Sequence, residues 1–251
     1  MSKKVAVIFI LILSQIININ AKTGPLRLCN LIDIPVAQIT PAAVIETELR
    51  MYPEGGLLTS IMVGISSNFS IGAAYGGQNI IGEGRIDLNP QPSVHLRYLL
   101  IKERFLIPAF LIGFNSQGLG RYYKGLKRYA IKSPGLYIVA SKNTSFLGGL
   151  GLHGGICFSL ENGDGDSDPD LFIGCHKYIS TSIVLLVEYD FALNDNGARS
   201  IGDGKGYLNS GMRWSVAKNF FIEFSWKNIL QNKKNIAASS REVKLVYRHH
   251  L

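Results

Sequence analysis

The sequence predicts an all-β fold, a transmembrane antiparallel up-and-down β-barrel of about twelve strands. Three observations predict it. Segments of about nine residues or more alternate apolar with polar or small side chains, short and long links follow one another, and charge keeps to one face of most strands. Successive side chains of a strand point to opposite sides, and a tilted membrane strand needs roughly 9 to 11 residues. A charge facing lipid at mid-bilayer costs about 2 to 4 kcal/mol, so a membrane wall requires this segregation. Residues 146–160 show it most clearly: Leu150, Leu152, Ile156, Phe158 and Leu160 share one face, while Gly151, His153, Gly155, Cys157 and Ser159 share the other.

Taken in order, the predicted strands are 44–52, 57–66, 68–77, 92–101, 104–114, 134–142, 146–160, 170–178, 182–193, 205–217, 219–228 and 240–250. Links such as 66–68, 102–104, 142–145, 179–181 and 217–219 are tight, whereas 77–91, 115–133, 161–169, 194–204 and 229–239 are long. Outer-membrane barrels alternate in this way, with short periplasmic turns and longer outer loops. The first outer link, 53–56, is the brief exception. An even strand count leaves both ends of the barrel in the periplasm. Ile61, Val63, Ile71, Leu185, Val187, Phe224 and Trp226 fall on the lipid face, and the fifth strand is apolar on both faces, as if packed against something folded inward. A secreted β-sandwich also alternates, but its strands are usually shorter.

The first 21 residues read as a secretory signal peptide: Lys3 and Lys4, an apolar run too short to span a bilayer, and a small residue at Ala21. Residues 22–43 are then a periplasmic N-terminal segment and 44–251 the barrel, placed in the cell outer membrane. The net charge of +8 falls by two with the signal. Three cysteines cannot all pair within one chain. Cys157 and Cys175 lie on successive strands, and either a bridge between them or isolated thiols fits the spacing.

The strand phase assigns Glu46, Glu48, Arg50, Arg97, His153, Glu188, Asp190, Arg213, Glu223, Lys227 and Lys244 to the lumen, together with His95, Glu242 and Arg248. Acids and bases balance there, which fits a salt-bridged interior or a charged constriction. Twelve strands make a narrow or occluded bore, since wide channels come with about 16. The long link 115–133 is basic and aromatic: Arg121, Lys124, Lys127 and Arg128, with tyrosines between, suit lipopolysaccharide phosphates or an acidic polysaccharide. Asp164, Asp166 and Asp168 supply calcium-type oxygens at every second position, but Pro169 and Cys175 depart from the calcium-hand pattern, and a solvated loop is the alternative. No hydrolase or metalloprotease motif occurs, and the sequence predicts neither enzyme nor cofactor nor nucleic-acid partner. The expected partners are membrane lipid, lipopolysaccharide and the barrel-assembly machinery. That machinery would read the alternating last strand, which ends in Leu251.

Several runs carry a resemblance: IIGEG and NPQPSVHLRY within 80–98, IGFNSQGLGRY at 112–122, IKSPGLYIVASKN at 131–143, EYDFALND at 188–195 and GYLNSGMRW at 206–214. Together they resemble a set of Gram-negative outer-membrane proteins akin to the barrel parts of YjbH-type exopolysaccharide-biosynthesis proteins. The resemblance implies porin-like or secretion-linked passage of small polar or saccharide material. The alternative is a structural or adhesive surface protein that binds envelope polysaccharide through its basic loop.

Overall fold

The computed structural model describes residues 28–144, 149–234 and 239–251; the expected signal peptide lies outside them. Twelve barrel strands are present among these residues: β1 Val44–Tyr52, β2 Gly56–Gly64, β3 Phe69–Gln78, β4 Ser93–Ile101, β5 Ala109–Asn115, β6 Gly135–Thr144, β7 Leu150–Phe158, β8 Asp170–Tyr178, β9 Ile183–Asp190, β10 Tyr207–Ala217, β11 Phe220–Lys227 and β12 Ser240–His250. Each pairs antiparallel with the next in the chain. β12 returns to β1, with Val44 opposite His250 and Met51 opposite Val243, so the sheet closes without a free edge. Closure satisfies every strand's backbone groups, the condition for a sheet to cross hydrocarbon.

The side-chain period of two then decides what faces lipid. Ile61, Ile71, Tyr98, Leu136, Ile173, Val187, Phe224 and Trp226 are exposed on the outside, and Leu152 is 52% exposed while its neighbour His153 is 5%. An apolar outer wall around a charged interior is the architecture of an outer-membrane β-barrel, and it places the chain in that membrane. No helix among the described residues is long and apolar enough to cross a bilayer; the strands cross instead.

Two strands depart most from the predicted bounds. β5 begins at Ala109 rather than 104, so Phe105 and Leu106 belong to a periplasmic turn and stand 91% and 84% exposed. Pro108 explains the late start, because it has no N–H to give to a ladder. β7 spans 150–158 and ends two residues before the predicted bound, while residues 146–148 of the predicted run lie outside the described residues. Cys157 is buried towards the lumen opposite Asp170, while Cys175 pairs in register with outward-facing Leu152. The two thiols lie on opposite faces, and all three cysteines are free.

The largest departure is the N-terminal segment. Residues 22–43 were expected in the periplasm ahead of the barrel, but from Leu28 onward the chain lies inside it. Val36 N–H donates to Cys29 O (3.0 Å), Leu31 N–H donates to Ile34 O (3.1 Å), and Asn30 bridges Pro35. These contacts make a tight hairpin with its tip at Ile32 and Asp33. Its second arm runs to the periplasmic end, where Ala42 bridges Gly64 just before β1. Its side chains Leu28, Leu31, Ile32, Ile34 and Val36 form one buried cluster with inward-facing Leu111, Val139, Phe172, Val184 and Leu186. Burying such chains contributes about 1.5 to 3 kcal/mol each. This is why β5 is apolar on both faces: Leu111 packs on the hairpin and Ile112 faces out.

Candidate functional site

The lumen is the candidate site, and alternation along the strands builds it. Glu188 of β9 is fully buried beneath the hairpin tip. Its carboxylate accepts three successive backbone N–H groups, from Ile32 (2.9 Å), Asp33 (2.9 Å) and Ile34 (3.2 Å), and a fourth bond from Asn209 Nδ2 (2.8 Å). Charge-assisted bonds of this type are about twice as strong as neutral ones.

Cations hold the rest of the hairpin. Arg97 of β4 donates to Cys29 O (2.6 Å), Val36 O (2.7 Å) and Asn30 Oδ1 (3.0 Å). Arg213 of β10 reaches Leu31 O (3.1 Å) and pairs with Glu223 (2.5 Å), which Lys244 also meets at 3.0 Å. Lys244 donates in addition to Ile32 O. At the tip, Asp33 bridges Arg50 and Lys227, both at 2.7 Å, and Arg50 pairs with Glu242 at 2.5 Å. Glu46 pairs with Arg248 (2.5 Å), while Glu48 and Asp190 line a cavity of about 110 Å³ beside the hairpin, beneath the outer loops. A wider vestibule of about 650 Å³ opens on the periplasmic side, lined by Gln38, Lys102, Glu103 and Asn143. The hairpin separates the two spaces.

Of the residues assigned to the lumen, Glu46, Glu48, Arg50, Arg97, Asp190 and Lys244 line the cavity, Glu188, Arg213 and Lys227 meet the hairpin, Glu223 pairs with Arg213 and Lys244, and His153 is buried. Sequence reasoning missed Asp33, Ser141 and His176. Ser141 Oγ accepts Ala37 N–H (2.8 Å) and contacts His153 Nδ1 (2.8 Å), and His153 Nε2 meets His176 Nδ1 at 2.9 Å. Gly151 opposite leaves room for the His176 ring, which would stand 2.1 Å from a Cβ there. Both histidines face the lumen, so this serine–histidine chain does not reach lipid.

The outer loops correct two expectations. Arg121, Lys124 and Lys127 are exposed, but Arg128 is fully buried, paired with Asp164 and Asp195, each at 2.5 Å. It belongs to a small hairpin, Leu119–Tyr123 with Arg128–Ile131, that folds over the barrel mouth. The calcium-type reading also gives way. Asp164 is taken by Arg128 and Lys132, and Asp166 accepts N–H groups of Asn196 and Gly197. Only Asp168 is exposed, and no metal-ligand cluster occurs among the described residues.

This cap titrates. Burial pushes the Asp164 carboxyl up, but bonds from Lys132, the Asp166 amide and Arg128 outweigh it and hold it below its ordinary value of 3.8. Asp166 is likewise raised by burial and lowered further by the amides of Gly197, Asn196 and Asp168. A depressed carboxyl stabilises the fold above its unfolded pKa, and that contribution is lost as pH falls through the folded value. Hydrogen exchange across 161–170, corrected for intrinsic rate, should therefore stay slow from neutrality down to about pH 4 and rise below it. Exchange that accelerates already between pH 7 and 5 would contradict this.

No family model matches the chain, and no curated protein matches it. Among solved structures it is similar to the KdgM porin, at 11% identity and a TM-score of 0.49, over 82% of this chain and 99% of that one. It is also similar to Omp33 of Acinetobacter baumannii, at 5% identity and 0.48, over 82% and 97%. The NanC porin follows at 9% identity and 0.47, over 82% and 99%. Strand count and closure rest on the chain's own pairings.

Proposed function

We propose that this outer-membrane barrel passes small polar or saccharide solutes when its N-terminal hairpin leaves the lumen. One observation carries the reading: the hairpin that divides the outer cavity from the periplasmic vestibule is held inside by noncovalent contacts alone, to a charged wall. A packed barrel needs no such removable core, and small barrels commonly fill their bore with wall side chains. The saccharide part rests on the resemblance to exopolysaccharide-linked barrels.

A second reading, an adhesive surface protein, is favoured by the three loop cations left exposed, Arg121, Lys124 and Lys127. Conductance separates the two. Arg50→Gln with Lys227→Gln frees Asp33 at the hairpin tip, and ion steps in planar bilayers should become at least about tenfold more frequent than in the wild type, since breaking a buried pair costs about 3 to 5 kcal/mol. Passage is refuted if the variant, confirmed as a closed barrel by its heat-modifiable mobility on electrophoresis, stays silent. An adhesive role would survive the same changes.

A further inference from the structure

The wall grips the hairpin mainly by its backbone. Glu188 takes the N–H groups of Ile32, Asp33 and Ile34, while Arg97, Arg213 and Lys244 take the carbonyls of Cys29, Val36, Leu31 and Ile32. One side chain at the tip is read by charge, Asp33, through Arg50 and Lys227. The remaining wall is greasy: Leu111, Val139, Val184 and Leu186 are fully buried against branched hairpin side chains. Gly174 adds a fitted contact. A Cβ there would lie 2.5 Å from Leu31 Cδ1 and 2.8 Å from Ile34 Cδ1, so the wall is thinned where these two residues sit.

We propose that this seat is a peptide-binding site, filled here by the chain's own N-terminal hairpin. Once the hairpin is out, a short acidic peptide with branched apolar flanks binds the seat in trans and closes the bore. The wall chemistry selects that ligand class. The Glu188 carboxylate needs several converging donors, the facing cations need carbonyls and one carboxylate, and the aliphatic sector needs Leu- or Ile-like side chains. Saccharide hydroxyls would serve the polar sector and leave the aliphatic sector without a partner. The proposal rests on the reading that the hairpin can leave.

The test uses the full-length chain carrying Leu31→Glu and Asp33→Asn. These changes place a carboxylate against Gly174 and remove both ion pairs of the tip, and they leave every wall residue intact. The probe is a fluorescent synthetic peptide of residues 28–40 with Cys29 replaced by Ser, added to the micellar variant and, unlabelled, to bilayers. Saturable binding is expected, weakened at least about tenfold when the probe carries Asn at its Asp33 position, given the value of a buried ion pair. Wild-type chain should bind less, because its own hairpin competes. Binding without ion steps would sink the passage reading and leave the peptide site standing. Open steps with neither binding nor block would sink the peptide site and leave passage standing. Binding indifferent to Asp33 of the probe would also overturn the proposal. Asp33→Asn alone, a gentler variant, repeats the measurement should the double variant fail to form a heat-modifiable barrel.

Discussion

Glu188→Ala should unseat the hairpin while leaving the barrel closed. Three backbone N–H groups, those of Ile32, Asp33 and Ile34, end on this one carboxylate, and Asn209 does too. The alanine leaves the three amides buried without an acceptor, and a buried unsatisfied donor costs about 1 to 3 kcal/mol. Even at the low end the sum is about 3 kcal/mol, which is roughly a hundredfold in the ratio of withdrawn to seated hairpin. Cys29, buried in the hairpin, reports the change. Its maleimide labelling in micelles should accelerate by that order, with Cys157 as the second lumenal thiol. Glu188→Gln keeps one acceptor oxygen and should fall between. The strand ladders make no use of the Glu188 side chain, so the heat-modifiable mobility should not change. Equal labelling rates in all three proteins would mean that the apolar cluster alone seats the hairpin.

The barrel was legible because its signal is local and periodic. Bounds of β1, β8 and β12 coincide with the predicted 44–52, 170–178 and 240–250, and a correct phase places every lumenal residue of a strand at once. Glu223 and Lys244 needed no knowledge of their partners. The hairpin has no such period, and apart from the Asp33–Arg50 pair its polar contacts with the wall join residues more than 60 positions apart, as between Cys29 and Arg97 or Ile32 and Glu188. It left a compositional trace, a single charge between Leu28 and Ala43, too apolar for a segment left in water. The double apolar face of β5 was its complement: Leu111 needed a neighbour inside the lumen. Arg128 was misread for a related reason. In sequence it is one of a row of loop cations, and only the return of two other loops, bringing Asp164 and Asp195, separates it from exposed Lys127.

That same residue carries the other large effect. Arg128 is the joint of three outer loops: its guanidinium pairs with Asp164 and Asp195 and donates to the carbonyls of Tyr129 and Ala130. Arg128→Met keeps much of the volume and leaves two carboxylates in the space it vacates. Lys132 still meets Asp164, and Tyr207 Oη still donates to Asp195 at 2.7 Å, so the loss is partial. Breaking a buried pair from one side typically costs about 3 to 5 kcal/mol. The loops 116–134, 159–169 and 191–206 should separate, and limited proteolysis should cut them at least about tenfold faster. The barrel should stay intact, because its strands pair without these groups. Arg128→Lys keeps the charge that Nη1 brings to both carboxylates but loses the Nε and Nη2 bonds to the Tyr129 and Ala130 carbonyls, so it should protect only in part. Adding Asp164→Asn and Asp195→Asn to the methionine variant removes the stranded charges and should recover much of the resistance. A methionine variant as resistant as the wild type would show that the cap is held by its backbone contacts, such as those of the Tyr129 and Ser133 amides to Glu161, and not by this buried cation.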